Sequence, residues 1–427
     1  MNNLKVGSTG TETYILQSAL NRSGHNIAVD GIFGEKTLHA IKQFQIEHGL
    51  SPDGIAGPKT AKKLEDYIRG FTRHTVVRGD TLYSVAKEHS TSPAAIAAAN
   101  PNVMPGNLKI GSVLTVPYAF PVVMTDVPYT YELTSLIIRG ILARYPSVKD
   151  RSAGQSIMGR PLTVMSIGEG NKTLFINASH HANEWITTPT VLKFFEEYSS
   201  AVTFDKPIYG LSAKMLFLSS RLVMLPLVNP DGVDLVNGII SNGKYYDGAK
   251  MISSDYPDIP FPSGWKANIA GVDLNLQYPA DWELAREIKY AQGYTSPAPR
   301  DYVGPAPLST PESSAVYNLT KSNDFAVTLS YHTQGNIIYW RFKDMLPKGS
   351  FELGKLLADK SGYPLAKTPY ASSNAGYKDF FILDYDRPGY TIEAGFGQNP
   401  LPISQFDGIY AANAPLMSQA LAWVAGE

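Results

Sequence analysis

Between Tyr129 and the end of the chain, short apolar runs recur at intervals filled by helical patterns: Leu162–Met165, Leu174–Ile176, Leu222–Val228, Phe325–Leu329 and Tyr390–Glu393. That alternation predicts an α/β domain with a mixed, mostly parallel central sheet flanked by helices. Functional groups in such sheets collect where strands end. Three of these ends carry chemistry: His181-Ala182-Asn183-Glu184-Trp185, Tyr331-His332-Thr333-Gln334-Gly335 and Tyr390-Thr391-Ile392-Glu393-Ala394-Gly395. Two imidazoles and one carboxylate are the ligand set of a catalytic zinc site that keeps a position open for water. A further carboxylate beside that water is what metal-assisted hydrolysis uses as general base. Each His taken singly reads more readily as a hydrogen-bonded core or surface residue; the combination carries the argument.

Composition narrows the choice. The chain has 427 residues, no cysteine and a formal net charge of −1. Without cysteine there are no disulfides, thiolate nucleophiles or Cys-ligated metals, so a metal must sit on His and carboxylates. The charge gives no electrostatic case for nucleic acid or an anionic membrane. No apolar run is long enough to span a bilayer, so membrane insertion is not expected. Met1-Asn2-Asn3-Leu4-Lys5 lacks a basic segment followed by an apolar core, and no signal peptide is expected.

Two smaller segments precede the sheet domain. In residues 1–70, Asp30-Gly31-Ile32-Phe33-Gly34-Glu35-Lys36-Thr37 is echoed by Asp53-Gly54-Ile55-Ala56-Gly57-Pro58-Lys59-Thr60. Each Asp-Gly predicts a turn and each Thr a helix cap. Leu16, Gln17 and Leu20, then Leu38, Ile41, Phe44 and Gln45, fall at helical spacing, so a small all-α bundle is expected. The pattern resembles the three-helix peptidoglycan-binding module. Residues 73–118 read as β-α-α-β: a strand, a Gly79-Asp80 turn with Thr81 as cap, helices through Tyr83–Ala86 and Ala94–Asn100, and a strand closing at Pro117. Arg78-Gly79-Asp80-Thr81-Leu82, Asn100-Pro101-Asn102 and Val116-Pro117 resemble the LysM domain. That resemblance implies a groove for N-acetylglucosamine chains. It would have Gly79, Asp80, Thr81 and Leu82 on one side, and Pro105, Gly106, Asn107, Leu108 and Ile110 on the other. The proline-bearing segment 119–128 reads as a stiff linker.

Residues 129–427 resemble the zinc metallocarboxypeptidase (funnelin) family, through His-x-x-Glu…His, Asn229-Pro230-Asp231-Gly232 and Gly271-Val272-Asp273-Leu274-Asn275. The resemblance implies one zinc per chain on His181, Glu184 and His332, with Asp273 holding the other ring nitrogen of His181. His180, out of register with the motif, then either supports the ligands from behind or is structural. Glu393 matches the catalytic glutamate, and Lys266 stands where the family has an oxyanion-stabilising Arg. Tyr370 is the candidate for the family's mobile active-site tyrosine, with Tyr377 as its rival. Lys378 is placed to contact a substrate carboxylate.

Two departures bear on specificity. The family's carboxylate-reading Arg after the Asn of Asp-x-Asn-Arg is replaced by Leu276, after Asn275, and an Arg common between the first His and Glu is replaced by Asn183. A site without both cations should not select an ordinary C-terminal carboxylate. The combination resembles the γ-D-glutamyl-L-diamino acid (meso-diaminopimelate) endopeptidases, and the module order resembles wall endopeptidases of sporulating bacilli. The expected partners are peptidoglycan glycan chains and stem peptides. The competing readings are an exo-acting carboxypeptidase, which the missing Arg opposes, and an inactive wall-binding protein, which the intact motif residues oppose. The expected site of action is the bacterial wall or spore peptidoglycan, reached without a signal peptide, as when a mother cell lyses.

Overall fold

The computed structural model describes residues 3–426. They form two compact units, one running to Pro128 and again over Glu132–Lys149, the other formed by Tyr129–Tyr131 and the chain from Asp150 onward.

The first unit opens with helices α1 (Thr11–Arg22), α2 (Glu35–Glu47) and α3 (Pro58–Arg69). The internal echo has a physical explanation. Gln17 sends Nε2 to Asp30, Ile32 O and Thr37, while its Oε1 accepts from the backbone of Asp30 and Gly31. Gln45 repeats the scheme on Asp53, Ile55 O, Thr60 and Gly54 N. One buried amide thus fastens each Asp-Gly turn to the helix before it. Gly31 and Gly54 are required by left-handed φ values of 72° and 75°, and a Cβ on Gly31 would come within 2.2 Å of the Tyr14 ring. Thr37 and Thr60 do not cap helices as expected. They lie inside α2 and α3, whose caps are Gly34 and Gly57, and they receive the Gln amides instead.

The β-α-α-β segment follows as β1 (Phe71–Thr75), α4 (Leu82–Glu88), α5 (Pro93–Ala99) and β2 (Val113–Pro117), with β1 and β2 antiparallel. Thr81 caps α4, exchanging hydrogen bonds with Ser84. Segment 119–128 is packed rather than free: Val122, Val123, Met124 and Val127 are buried, and Arg22 donates to the carbonyls of Val122 and Val123. Helix α6 (Tyr131–Arg144) ends at a buried Arg144, which donates to the carbonyls of Gly70 and Tyr118.

The second unit is built on an eight-stranded sheet. Its strands are β3 (Lys149–Gln155), β4 (Pro161–Ile167), β5 (Lys172–Ala178), β8 (Ser220–Leu225), β9 (Phe325–His332), β10 (Ile337–Tyr339), β11 (Leu365–Ala366) and β12 (Gly389–Glu393). A separate small hairpin, β6 (Pro207–Ile208) and β7 (Leu211–Ser212), lies outside it. The order is β11-β10-β12-β9-β5-β8-β4-β3. Strands β8, β5, β9 and β12 run parallel at its centre, while β4 and β10 are antiparallel to their neighbours β8 and β12. Helices α7 (Thr187–Thr203), α8 (Ala213–Ser219), α9 (Pro230–Val236), α10 (Gly243–Ser254), α11 (Trp282–Ala291), α12 (Pro311–Lys321), α13 (Ser350–Ser361), α14 (Tyr377–Tyr385) and α15 (Phe406–Ala425) complete the unit.

Central strands covered on both faces must be apolar on both, which is why β5 reads as a continuous run. Phe175 of β5 and Val223 and Leu225 of β8 pack with Val316 and Leu319 of α12 and Phe380 and Phe381 of α14. Helices α7 and α15 contact β5 as well. The parallel strands share a carboxyl edge, and the register there pairs Glu393 with His332 and Ala178 with Tyr331. The chemistry sits along that edge. Among the described residues, no helix is long and apolar enough to cross a membrane.

Candidate metal centre and active site

After β5 the chain passes through Ser179 in a left-handed conformation and enters a 3-10 turn at Ala182–Glu184. Several bonds hold this turn. Ala182 N donates to Lys266 O, and Asn229 Nδ2 donates to the carbonyls of His180 and Ala267. Gly232 is needed beneath it, since a Cβ there would meet Asn229 Oδ1, Ala182 Cβ and Ala267 O at 2.7–2.8 Å. The Asn229-Pro230-Asp231-Gly232 string is thus the scaffold of the turn.

Glu184 Oε1 lies 2.9 Å from His181 Nδ1, and Glu184 Oε2 lies 3.0 Å from His332 Nδ1 and accepts from Thr333 N. The two Nδ1 atoms are 3.1 Å apart. His181 Nε2 bonds Asp273 Oδ1 at 3.1 Å, so a neutral ring carries its proton there and turns a lone pair toward the carboxylate. All three side chains are buried. Lone pairs and carboxylate oxygens converging on one point out of water suit a divalent cation. The ligand atoms lie within 4.8 Å of one another, and two imidazoles plus one carboxylate fit zinc with a position to spare. His180 does not join the cluster: its Nε2 bonds Tyr278 OH at 2.9 Å within the core. A second group, His74, Glu88 and His89 in the β-α-α-β segment, is looser, with Glu88 open to solvent.

A cavity of about 590 Å³ opens over His181, lined also by Lys266, Asp273 and Glu393. Glu393 has no hydrogen-bond partner among the described residues and faces this space. Burial, and next the Glu184 carboxylate, push its carboxyl up to about 8. Lys266 Nζ lies 3.7 Å from Glu184 Oε1. Burial opposes its charge, but Glu184 and Asp273 prevail and raise its pKa. Burial likewise opposes the charge of Glu184, and His181 and Lys266 hold its pKa well below the ordinary range. These shifts arise from the protein groups alone.

Asn183, Asn275, Leu276 and Lys378 also line the cavity. Asn183 Oδ1 is buried with no partner among the described residues, which leaves an acceptor open. Asn275 Oδ1 accepts from Tyr377 N. Leu276 packs with Trp282, Ala285, Val303 and Ala375. Lys378 is buried, with Nζ donating to Arg341 O at 2.9 Å and paired with Asp379. The structure excludes Tyr377 as a mobile tyrosine, because its ring is fully buried and its hydroxyl bonds Thr320. Tyr370 is 70% exposed, on a turn whose neighbours Pro369 and Ser372 line the cavity.

In the β-α-α-β segment, Gly79, Pro105, Gly106, Asn107 and Ile110 are exposed. The expectation for Leu82 needs correction, since its side chain fills the core with Val85, Ile96 and Leu114, and Leu108 packs partly against the same cluster. Asp80 is spent locally, accepting from Val77 N and bonding His74 Nε2, and Thr81 is the cap of α4.

Sequence reasoning missed a cationic wall of the cavity formed by Lys289, Arg300 and Asp301. Its only local signal was an Arg-Asp pair in the proline-bearing string Ser296-Pro297-Ala298-Pro299-Arg300-Asp301.

Comparison with known proteins agrees with this geometry. The zinc carboxypeptidase family matches residues 136–414, the peptidoglycan binding domain 9–64 and the LysM domain 74–117. The chain is 44% identical over 283 residues to a γ-D-glutamyl-L-diamino acid endopeptidase 1 of Lysinibacillus sphaericus, covering 66% of this chain and 69% of that protein. Over 80 residues it is 35% identical to a spore cortex-lytic enzyme of Halalkalibacterium halodurans, covering 18% of this chain and 24% of that one. The carboxypeptidase A structure from Helicoverpa armigera superposes with a TM-score of 0.52 at 17% identity, covering 99% of this chain and 98% of that one. A mixed eight-stranded sheet, a buried His-Glu-His cluster at its carboxyl edge and a family match across most of the second unit lead to one assignment: the chain belongs to the zinc carboxypeptidase family.

Proposed function

We propose that the protein cleaves the γ-D-glutamyl–meso-diaminopimelate bond of peptidoglycan stem peptides. The carrying observation is Leu276, seated in an apolar cluster at the cavity wall where a carboxypeptidase would present a carboxylate-reading Arg. An apolar side chain cannot pair a terminal carboxylate, so the substrate is free to continue past the cleaved bond. The likeness to a γ-D-glutamyl-L-diamino acid endopeptidase of Lysinibacillus sphaericus supports a bond between a γ-D-glutamyl group and a diamino acid.

His181, Glu184 and His332 would hold the zinc, which supplies Lewis-acid polarisation of the scissile carbonyl and an acidified water. Glu393, which lines the cavity and has no hydrogen-bond partner among the described residues, takes a proton from the attacking water and returns it to the leaving amine. Lys266 places its ammonium toward the oxygen that gains negative charge. Asp273 fixes the ring of His181 through Nε2. Asn183 offers its unpaired oxygen to a substrate N–H. Lys378, with two of its three protons engaged, keeps one donor for a carboxylate of the diamino acid. Tyr370 covers the substrate from the cavity margin.

The peptidoglycan-binding and LysM modules hold the enzyme on glycan, with the LysM contact made by exposed Gly79 and the Pro105–Asn107 loop with Ile110. Sharing a chain with the catalytic unit, they raise the local concentration of stems without altering the chemistry. Action on spore peptidoglycan after mother-cell lysis fits these modules and the likeness to a spore cortex-lytic enzyme. The test compares L-Ala-γ-D-Glu-meso-diaminopimelate with an N-blocked dipeptide bearing an ordinary C-terminal residue. Turnover of the first alone is expected; preference for the dipeptide would make the protein an exo-carboxypeptidase.

A further inference from the structure

The cationic wall formed by Arg300, Lys289 and Asp301 has no part in the chemistry assigned so far. Asp301 clamps two cations at once: one carboxylate oxygen lies 2.5 Å from Arg300 Nε, and the other 2.6 Å from Lys289 Nζ. Lys289 reaches it from α11 and its side chain is only 8% exposed. Two positive charges against one negative leave the wall with a net positive charge. With Nε engaged, Arg300 has no described partner for Nη1 and Nη2, the pair of donors that suits a carboxylate.

The wall is fixed to the reacting centre by its backbone. Pro299 O accepts from Lys266 N at 2.8 Å and from Ala267 N at 2.9 Å. Asp301 N donates to Asp273 Oδ2 at 3.2 Å, on the same carboxylate that holds His181. Arg300 is therefore flanked on both sides by residues bonded to the frame of the site. Lys378 belongs to another element, α14, and its ammonium is bonded to Arg341 O and Asp379.

We propose that Arg300, braced by Asp301 and Lys289, is the subsite for the free α-carboxylate of the glutamyl residue on the acyl side of the scissile bond. The inference rests on the γ-glutamyl reading above and deepens it. In a γ-linked glutamyl residue the scissile carbonyl belongs to the side chain, so the α-carboxylate hangs free a few bonds from the point of attack. An α-linked acyl residue carries a carboxylate at that spacing only where it is itself Glu, and its amide nitrogen then lies next to the scissile carbonyl instead of next to the carboxylate. A guanidinium there favours glutamyl acyl groups over uncharged ones, while Leu276 removes selection for a terminal carboxylate on the leaving side.

The experiment measures kcat and KM of the full-length zinc enzyme on L-Ala-γ-D-Glu-meso-diaminopimelate and on the same peptide with the glutamyl α-carboxylate amidated. Wild type should favour the carboxylate form by about tenfold in kcat/KM, the scale of one charge-assisted hydrogen bond at a half-exposed site. In Arg300→Gln the preference should vanish, through loss on the carboxylate substrate alone, and Arg300→Lys should restore part of it. Zinc content and thermal midpoint serve as controls on the Asp301–Asp273 link. An equal loss on both substrates would mean that Arg300 only supports the frame, and would overturn the proposal. So would a wild type indifferent to amidation. A wild type that cuts neither peptide would refute the bond assignment itself, and this subsite with it.

Discussion

At the scale of single residues, the site is a set of side chains distinguished by which of their polar atoms remain unpaired. Glu393 has no hydrogen-bond partner among the described residues, whereas Glu184 is engaged by His181, His332 and Thr333 N. That difference supports the proposed roles of base for the first and metal ligand for the second. Glu393→Gln should therefore retain its zinc, read by elemental analysis, while kcat falls about 10²- to 10⁴-fold. Loss of zinc in that variant would make Glu393 a ligand instead. Leu276→Arg should lower kcat/KM on stem peptides by introducing a cation at an apolar wall. Leu276→Met, which keeps the volume, should stay within a few-fold of wild type; comparable loss in both would mean that packing, not charge, governs the position. His181 and Glu184 could be singled out because they follow an apolar run within a few residues, and His332 and Glu393 because they end β9 and β12. Arg300 was not, because its importance comes from a loop that only the fold brings beside Lys266.

Elements were legible where one physical pattern dominates. The five apolar runs lie on β4, β5, β8, β9 and β12, since a strand covered on both faces has little choice but to be apolar. Short peripheral strands such as β10 and β11 lack that signature and depend on tertiary pairing. The two Thr residues of the N-terminal echo were misread as caps because local propensity cannot show that a distant Gln side chain needs an acceptor. Those glutamines should matter to the module. Replacing Gln17 by Ala leaves the amides of Asp30 and Gly31 without their acceptor, and should destabilise the three-helix segment by about 1–3 kcal/mol. Denaturant unfolding followed by hydrogen exchange at Asp30 and Gly31, with Gly54 on Gln45 as the internal control, reads this out; unchanged protection at Asp30 and Gly31 would show that water replaces the Gln amide at no cost.

For the molecule as a whole, the bundle and the β-α-α-β segment form a unit with segment 119–128 and α6, so the proline-bearing stretch is not a simple spacer. Cutting the chain near Val122 would strip Arg144 of its partners Gly70 and Tyr118. Under the proposed LysM contact, substitutions at exposed Pro105, Gly106, Asn107 and Ile110 should weaken wall affinity while sparing turnover of soluble peptides. Metal should stabilise the second unit by mass action. Zinc at a thousandfold excess over its Kd adds about 4 kcal/mol to folding. Chelation should lower that unit's thermal midpoint and abolish hydrolysis, and zinc should restore both. A metal-free protein with full activity would contradict the role of His181, Glu184 and His332. The central claim is the bond that is cut, and mass spectrometry of the products from L-Ala-γ-D-Glu-meso-diaminopimelate-D-Ala tests it most directly. The account predicts L-Ala-D-Glu and meso-diaminopimelate-D-Ala; release of free D-Ala with the glutamyl–diaminopimelate bond intact would contradict it.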